Sequence, residues 1–233
     1  MTNLFDIHDI AIEQIKKRVS LEPVNLKYPF PVRPPRMLGL MKIDGEVYSS
    51  EKMSRTVFLK VGFPFYFTVR SMLMRPRLEY DLPVLACEIV RTGKTTMFLV
   101  DIHRAAGTNT GQDDSAIQDK LEKIRDKYTE LNKYTYRQKG KINEVFERGL
   151  CMVKIPIEMH GDAIEIFKEY LDVFLDMTEK AKPLTGDALE NAKSKYQEYL
   201  DLLVDHDPGV KGFKIIFGAK KGVERTMNIH FEQ

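Results

Sequence analysis

Leu82-Pro83-Val84-Leu85-Ala86-Cys87-Glu88-Ile89-Val90 is an apolar run that opens on a proline, ends near Gly93 and carries one carboxylate in its interior. Its length and composition read as a buried β-strand. An unpaired carboxylate is costly to bury, so Glu88 must find a cationic partner, keep its proton through a raised pKa, or line a cavity. Arg70 and Arg91 are the cations that a purely structural pairing would use. Outward from this run, strand-like segments fall near 37–43, 46–49, 54–61, 64–74, 83–91 and 96–102. They are separated by Asp44-Gly45, Gly62, the Arg75 to Asp81 loop and Thr92-Gly93. Links this short favour an antiparallel meander.

The flanks are helical. Leu4, Ile7, Ala11, Ile15 and Val19 recur at helical spacing, with Lys16, Lys17 and Arg18 at the end where cations suit the helix dipole. Five prolines between Pro23 and Pro35 then hold the chain extended until Met37. Ile117, Leu121, Ile124, Tyr128 and Leu131 mark an amphipathic helix capped by Asp114 or Ser115, and Leu150 to Ile157 is a further strand-like stretch. Two long helices follow, one carrying Ile164 to Met177 and ending before Pro183, the other carrying Leu189 to Leu203. A short helix at 210–217 comes next, then a last strand with Met227, Ile229 and Phe231 on one face. Strands first and helices later predict an α+β fold in one domain over 1–233, an antiparallel sheet sandwiched by helices.

Composition narrows the function. With 233 residues, 43% of them hydrophobic, the chain can bury a large core, and 36 basic against 34 acidic residues give a net charge of only +2. No nucleic-acid or membrane partner follows from that balance. No run approaches the roughly 18 apolar residues of a membrane span, and the first residues lack a charged leader with an apolar block. Cys87 and Cys151 sit in apolar runs without metal-ligand spacing, and His8, His103, His160 and His230 show none either. A soluble, cytoplasmic, monomeric protein without bound metal is expected. Asp101-Ile102-His103 places two polar groups on one strand face, with no nucleophile indicated beside them. Gly107, Gly111 and Gly140 form no phosphate loop. Basic residues interleaved with Tyr128, Tyr134 and Tyr136 between Lys120 and Lys141 resemble a nucleic-acid surface, but Glu122, Asp126 and Glu130 dilute it into a solvated helix face.

A second unusual stretch is Asp205-His206-Asp207-Pro208-Gly209, where a periodic helix gives way. Pro208 keeps Asp207 out of the helical region, so Asp207 is either an ordinary turn and helix cap or a site residue. Three segments together resemble the ferredoxin-dependent bilin reductases, the group related to red chlorophyll catabolite reductase. They are Arg75 to Val90 with Glu88 at the position of the family's strand carboxylate, His206-Asp207-Pro208 between the last helices, and Leu150 to Pro156 with Lys154 at a basic position. The resemblance spans roughly 37–233. It implies a three-layer α/β/α sandwich with a linear tetrapyrrole between the sheet and the C-terminal helices. It also implies no bound flavin, nicotinamide or metal, and single electrons from reduced ferredoxin. Carried over residue by residue, it implies Glu88, Asp207 and His206 as catalytic groups and Lys154, Ser71 and Pro208 as substrate contacts. Ser71 stands where one branch has a catalytic histidine, that branch's glutamate maps near Val57 or Phe58, Glu88 replaces aspartate and His206 replaces asparagine. A basic surface among Lys16, Lys17, Arg18, Arg33, Arg36, Lys211 and Lys214 would meet the ferredoxin. The alternative on the same fold is a tetrapyrrole-binding protein that does not reduce its ligand.

Overall fold

The structure, a computed structural model, describes residues 3–105, 115–137 and 140–231. Asp114, Gly107 and Gly111 of the sequence reading, and Lys139 within the basic segment between Lys120 and Lys141, lie outside the described residues. Seven strands form one sheet in chain order, every neighbouring pair antiparallel. They are β1 Glu22–Pro23, β2 Lys42–Ser49, β3 Met53–Phe63, β4 Phe67–Pro76, β5 Val84–Thr92, β6 Thr95–His103 and β7 Cys151–Ile155. The helices among the described residues are α1 Ile7–Lys16, α2 Ser115–Lys127, α3 Thr129–Asn132, α4 His160–Lys180, α5 Gly186–His206, α6 Pro208–Phe217 and α7 Ala219–His230. This is the expected α+β sandwich.

Alternation along the strands assigns the layers. Phe58, Met72, Cys87, Ile89, Phe98, Val100 and Val153 point to one face, where they pack with Ile7 and Ile15 of α1, Leu121 of α2 and Phe167, Tyr170 and Phe174 of α4. The other face divides in two. Val57, Leu59 and Val61 meet Phe213, Ile216 and Ile229 of α6 and α7. Beyond β6, Tyr196, Tyr199 and Leu203 of α5 form a separate cluster with Ile142 and Val145. Two tethers fix α4. The Tyr170 hydroxyl donates to the carbonyls of Leu121 and Gly149, and Lys52 Nζ donates to the carbonyls of Thr178, Glu179 and Ala181 at the helix's C-terminal end.

Several boundaries differ from the sequence reading. Asp44-Gly45 is no turn, because β2 runs straight through it. A β-carbon on Gly45 would lie 2.5 Å from the Phe58 carbonyl oxygen, so the glycine serves close approach within the ladder. Residues 37–40 are not strand either: Pro35–Met37 is a 3-10 turn, and Leu38 and Gly39 follow at φ 50° and 72°. The helix read over 117–131 breaks at Tyr128 into α2 and α3. The last strand is a helix. Its buried positions are Gly222, Thr226, Asn228 and Ile229; Gly222, Thr226 and Ile229 keep a three-to-four-residue spacing, and the alternation of Met227, Ile229 and Phe231 marks no strand.

Gly218, at φ 91°, turns the chain between α6 and α7, and the two helices then touch at Gly222. A β-carbon there would lie 2.5 Å from the Lys214 backbone nitrogen and 2.6 Å from its Cα, atoms that cannot swing aside. We expect Gly222→Ala to separate this helix pair at a cost of about 1–3 kcal/mol, measurable as a lower midpoint in urea unfolding. An unchanged midpoint would show that the pair has slack at this crossing.

Candidate functional site

The middle of the sheet is covered on one face only. Leu85, Cys87 and Ile89 of β5 are buried under α1 and α4, whereas Ala86, Glu88 and Val90, pointing the other way, are half-exposed, as are Ser71 and Leu73 beside them. A central strand with strands on both sides and still accessible side chains means that α5, α6 and α7 roof the edges of this face and leave a cleft over its centre. Glu88 is at its floor, between Ser71 on β4 and Leu99 on β6.

No cation neutralises Glu88 from the floor of the cleft. Arg70 and Arg91 project from the opposite face, where their guanidinium groups lie 5.6 and 4.7 Å from the centre of the Phe5 ring. The structural ion pair is therefore excluded by the pleat. The Ser71 hydroxyl donates to Glu88 Oε1 at 3.4 Å, a long contact. Burial, and then repulsion from Asp207, raise the Glu88 pKa from 4.5 to about 7.

Asp207 comes from the opposite wall, at the junction of α5 and α6. Its backbone is extended at φ −69° and ψ 129°, as a residue before proline must be, and its Oδ1 accepts the Val210 N–H at 2.8 Å. It is thus an N-cap of α6. Burial raises its pKa as well, against the lowering pull of the Val210 and Gly209 amides and Lys211. Pro208 occupies the first turn of α6 and is exposed. His206 ends α5 half-buried, and its side chain makes no hydrogen bond to a described residue. Lys154 is exposed on the cleft face of β7, opposite Met97, with Nζ 5.6 Å from the centre of the Tyr136 ring. The structure therefore brings Ser71, Glu88 and Asp207 together and sets Lys154 two strands away.

A further polar cluster is buried on the Glu88 side of the sheet. Asp101 and His103 share the Glu88 face of β6 and are buried, and His103 Nδ1 lies 3.2 Å from Asp101 Oδ2. On its other side His103 Nε2 is 3.1 Å from the Tyr199 hydroxyl of α5. Fully buried Arg75 donates to the Tyr196 hydroxyl at 2.6 Å one turn earlier on that helix. The alternation of Asp101 and His103 was visible in the sequence; the tyrosine partners arrive only by tertiary packing. The basic, aromatic segment at 120–141 is largely occupied internally. Lys127 pairs with Glu169, Lys133 with Glu130, and Arg125 donates to the carbonyls of Arg148 and Leu150. Among the described residues no group of three or more His, Cys, Asp or Glu side chains is placed to hold a metal ion, and no helix is long and apolar enough to cross a membrane.

These features define an α/β/α sandwich with a half-roofed sheet, a carboxylate on its partly accessible face and a second, Asp207, near enough for its charge to act on the first. The family model for ferredoxin-dependent bilin reductases matches residues 8–231, and the chain belongs to that family. Relatives include phycoerythrobilin:ferredoxin oxidoreductases of Prochlorococcus marinus (strain MIT 9301), 21% identical over 66% of this chain, and of Synechococcus sp. (strain WH8020), 21% identical over 60%. The matched segments span 63% and 57% of those relatives' own lengths, less than two thirds of each. Phytochromobilin synthase from tomato, solved in complex with biliverdin, shares the fold with a TM-score of 0.76 at 17% identity, over 97% of this chain and 86% of that one.

The Glu88 environment has a measurable cost. Because folding raises the pKa from 4.5 to about 7, the folded chain holds this proton more tightly than the unfolded one. The associated stability is complete below pH 4.5 and is lost as pH rises through about 7, when the carboxylate must ionise in place. We expect Glu88→Gln to match the wild-type unfolding free energy near pH 4 and to exceed it by on the order of 3 kcal/mol near pH 8. Parallel pH profiles for the two proteins would show that Glu88 is solvated as an ordinary surface carboxylate.

Proposed function

We propose that this chain reduces a linear tetrapyrrole of the biliverdin type, taking electrons one at a time from reduced ferredoxin and protons from Glu88 and Asp207. The observation that carries the reading is that two carboxylates from different layers, one on β5 and one at the α5–α6 junction, lie near enough to interact, each shifted toward holding its proton. Saturating one double bond of a conjugated tetrapyrrole consumes two electrons and two protons. Each added electron raises the basicity of the ring system, and an acid poised near neutrality can then donate without a strong counter-charge. A donor on the floor and a donor on the wall reach different carbons. Family membership supports ferredoxin as the electron source, and the names of the relatives support a bilin as substrate.

In this reading Ser71 orients Glu88, His206 and Pro208 border the substrate beside Asp207, and Lys154 meets a propionate at the far side. Of the cations offered for ferredoxin docking, Lys17 pairs with Glu13, and Arg18 with Asp176 and Glu179. Arg33 and Arg36 bond only backbone carbonyls and keep their charge for a partner. Their contribution to encounter is screened over a Debye length of about 8 Å at physiological ionic strength, so rates should fall with salt.

The deciding experiment is anaerobic turnover of biliverdin with reduced ferredoxin, followed by absorption. Binding alone shifts the spectrum, and reduction changes it further; a bound spectrum that never evolves would leave a binding protein in place of an enzyme. Glu88→Gln keeps the shape and a hydrogen-bond donor but loses the acidic proton. It should bind biliverdin within a few-fold of wild type while a partly reduced species accumulates and kcat falls by about 100-fold or more. Asp207→Asn should block or redirect a different proton transfer. Retention of wild-type rate and product by both variants sinks the proton-donor assignment.

Lys154→Met probes the substrate contact separately. An ion pair with a propionate acts alike on ground and transition states, so KM should rise with kcat little changed. A drop in kcat at constant KM would instead place Lys154 in the chemistry.

A further inference from the structure

Among the described residues Phe65 and Leu38 are the most exposed large apolar side chains, at relative exposures of 105% and 87%. They are also the only non-glycine residues in left-handed backbone, at φ 67° and 50°. Glycine or asparagine occupies such a conformation at less cost, so both side chains are held in solvent against conformational as well as hydrophobic preference. The register brings them to one end of the sheet. Lys42 of β2 pairs with Gly62 of β3, and Thr68 of β4 with Arg91 of β5, so the loop before Lys42, the β3–β4 turn and the β5–β6 turn all leave the ladder there. Arg33, Leu40, Lys42, Phe65, Tyr66 and Arg91 line one open groove across that end. Phe63 supports the tip from beneath, its ring centre 4.9 Å from that of Tyr66 and 6.1 Å from that of Phe67, and both phenylalanines pack into the core under α6 and α7. Phe65 has no ring neighbour among the described residues. The charge here is one-sided. Residues 23–43, 52–78 and 89–100, which supply this end, carry Lys and Arg but no Asp or Glu, in a chain whose totals nearly balance. Of the cations in the groove only Lys42 is paired with a described carboxylate, that of Asp44 at 2.7 Å; Arg33 bonds the Gly39 carbonyl and Arg91 lies over the Phe5 ring.

We infer that reduced ferredoxin docks on this end of the sheet, with Phe65 and Leu38 as the apolar centre of the contact and the surrounding cations as its rim, an inference that rests on the reductase reading above. The family takes its electrons from ferredoxin, a small acidic iron–sulfur protein. An electron-transfer encounter buries little surface, so one large aromatic anchor dominates its energy, while a cationic rim steers an acidic partner into place. Position favours the same end. Phe67, Val69 and Ser71 alternate along the cleft face of β4, so the strand that carries Ser71 beside Glu88 starts at the docking end, about 13 Å away at the rise of an extended chain. Each encounter passes one electron from the reduced cluster to the bound tetrapyrrole; ferredoxin leaves oxidised by one electron, and protons come from the cleft. The cations that end α1 lie at the other end of the sheet, where Arg18 pairs with Glu179 beside the carbonyl that Lys52 holds.

The test measures turnover with biliverdin saturating and reduced ferredoxin varied, for the unmodified chain, Phe65→Gly and Phe65→Tyr. Phe65→Gly removes the ring and relaxes the left-handed turn, so its urea midpoint should equal or exceed that of the unmodified chain. Its Kd for biliverdin should stay within about twofold while kcat/KM for ferredoxin falls about 10- to 30-fold. Phe65→Tyr keeps the aromatic face and should stay within about threefold of the unmodified chain. Arg33→Glu should lose rate at low salt and converge with the unmodified chain at high salt. Should Phe65→Gly not fold, Phe65→Asn, whose side chain also tolerates left-handed backbone, decides in its place. A loss in kcat/KM for ferredoxin below about threefold, or a lower urea midpoint, overturns the docking face while leaving the reductase reading intact. Sedimentation of the unmodified chain with anionic phospholipid vesicles, abolished by Phe65→Gly while ferredoxin kinetics stay normal, overturns it in favour of a lipid surface. Failure of the unmodified chain to reduce biliverdin at all overturns the reductase reading, and the docking with it.

Discussion

The two-residue repeat of β5 is the constraint on which the site depends. Leu85, Cys87 and Ile89 must face α1 and α4 to complete the larger core, and the pleat then sends Ala86, Glu88 and Val90 to the other side without choice. The same repeat in β4 carries Ser71 to Glu88 and carries Arg70 away from it. A cation that is near in sequence is thereby kept a full sheet thickness away. The carboxylate stays unneutralised, and its proton affinity is set by burial and by Asp207. A slip of one residue in this strand would bury the glutamate in the core and expose three apolar side chains, so register and chemistry are enforced by one term.

Helix α5 does for the opposite wall what β5 does for the floor. Tyr196 and Tyr199 tie it to Arg75 and His103 of the sheet, and Asp207 then caps the helix that follows. The capping bond has a double effect. It fixes the Asp207 carboxylate at the start of α6, and its amide partners restrain the rise in pKa that burial produces. Anchoring and tuning are therefore done by backbone geometry, with Pro208 holding the turn.

Much of this was legible in the residues. Alternation located β3 to β7 within a few positions, and the oddity of a carboxylate within an apolar run pointed at Glu88 before any contact was known. What stayed hidden depended on tertiary packing. Gly45 reads as a turn residue, and only the approach of the Phe58 carbonyl explains it. Met227, Ile229 and Phe231 alternate like a strand, and the burial of Gly222 against α6 makes that segment a helix. Asp101 and His103 were visibly on one face, yet a pair without a third member has no reading, and Tyr199 lies 96 residues further along the chain.

The order of the sheet bears on how the molecule is made. Strands β1 to β6 pair in the sequence in which they leave the ribosome, each with its immediate predecessor, and the longest connection within the sheet precedes β7. Local pairing of this kind forms early and without large loop-closure cost. The helices that roof the cleft, and Asp207 with them, follow from Gly186 onward, about a hundred residues after Glu88. During synthesis the strands β1 to β6 that carry the floor of the site therefore leave the ribosome before the helices α5 to α7 that supply its wall.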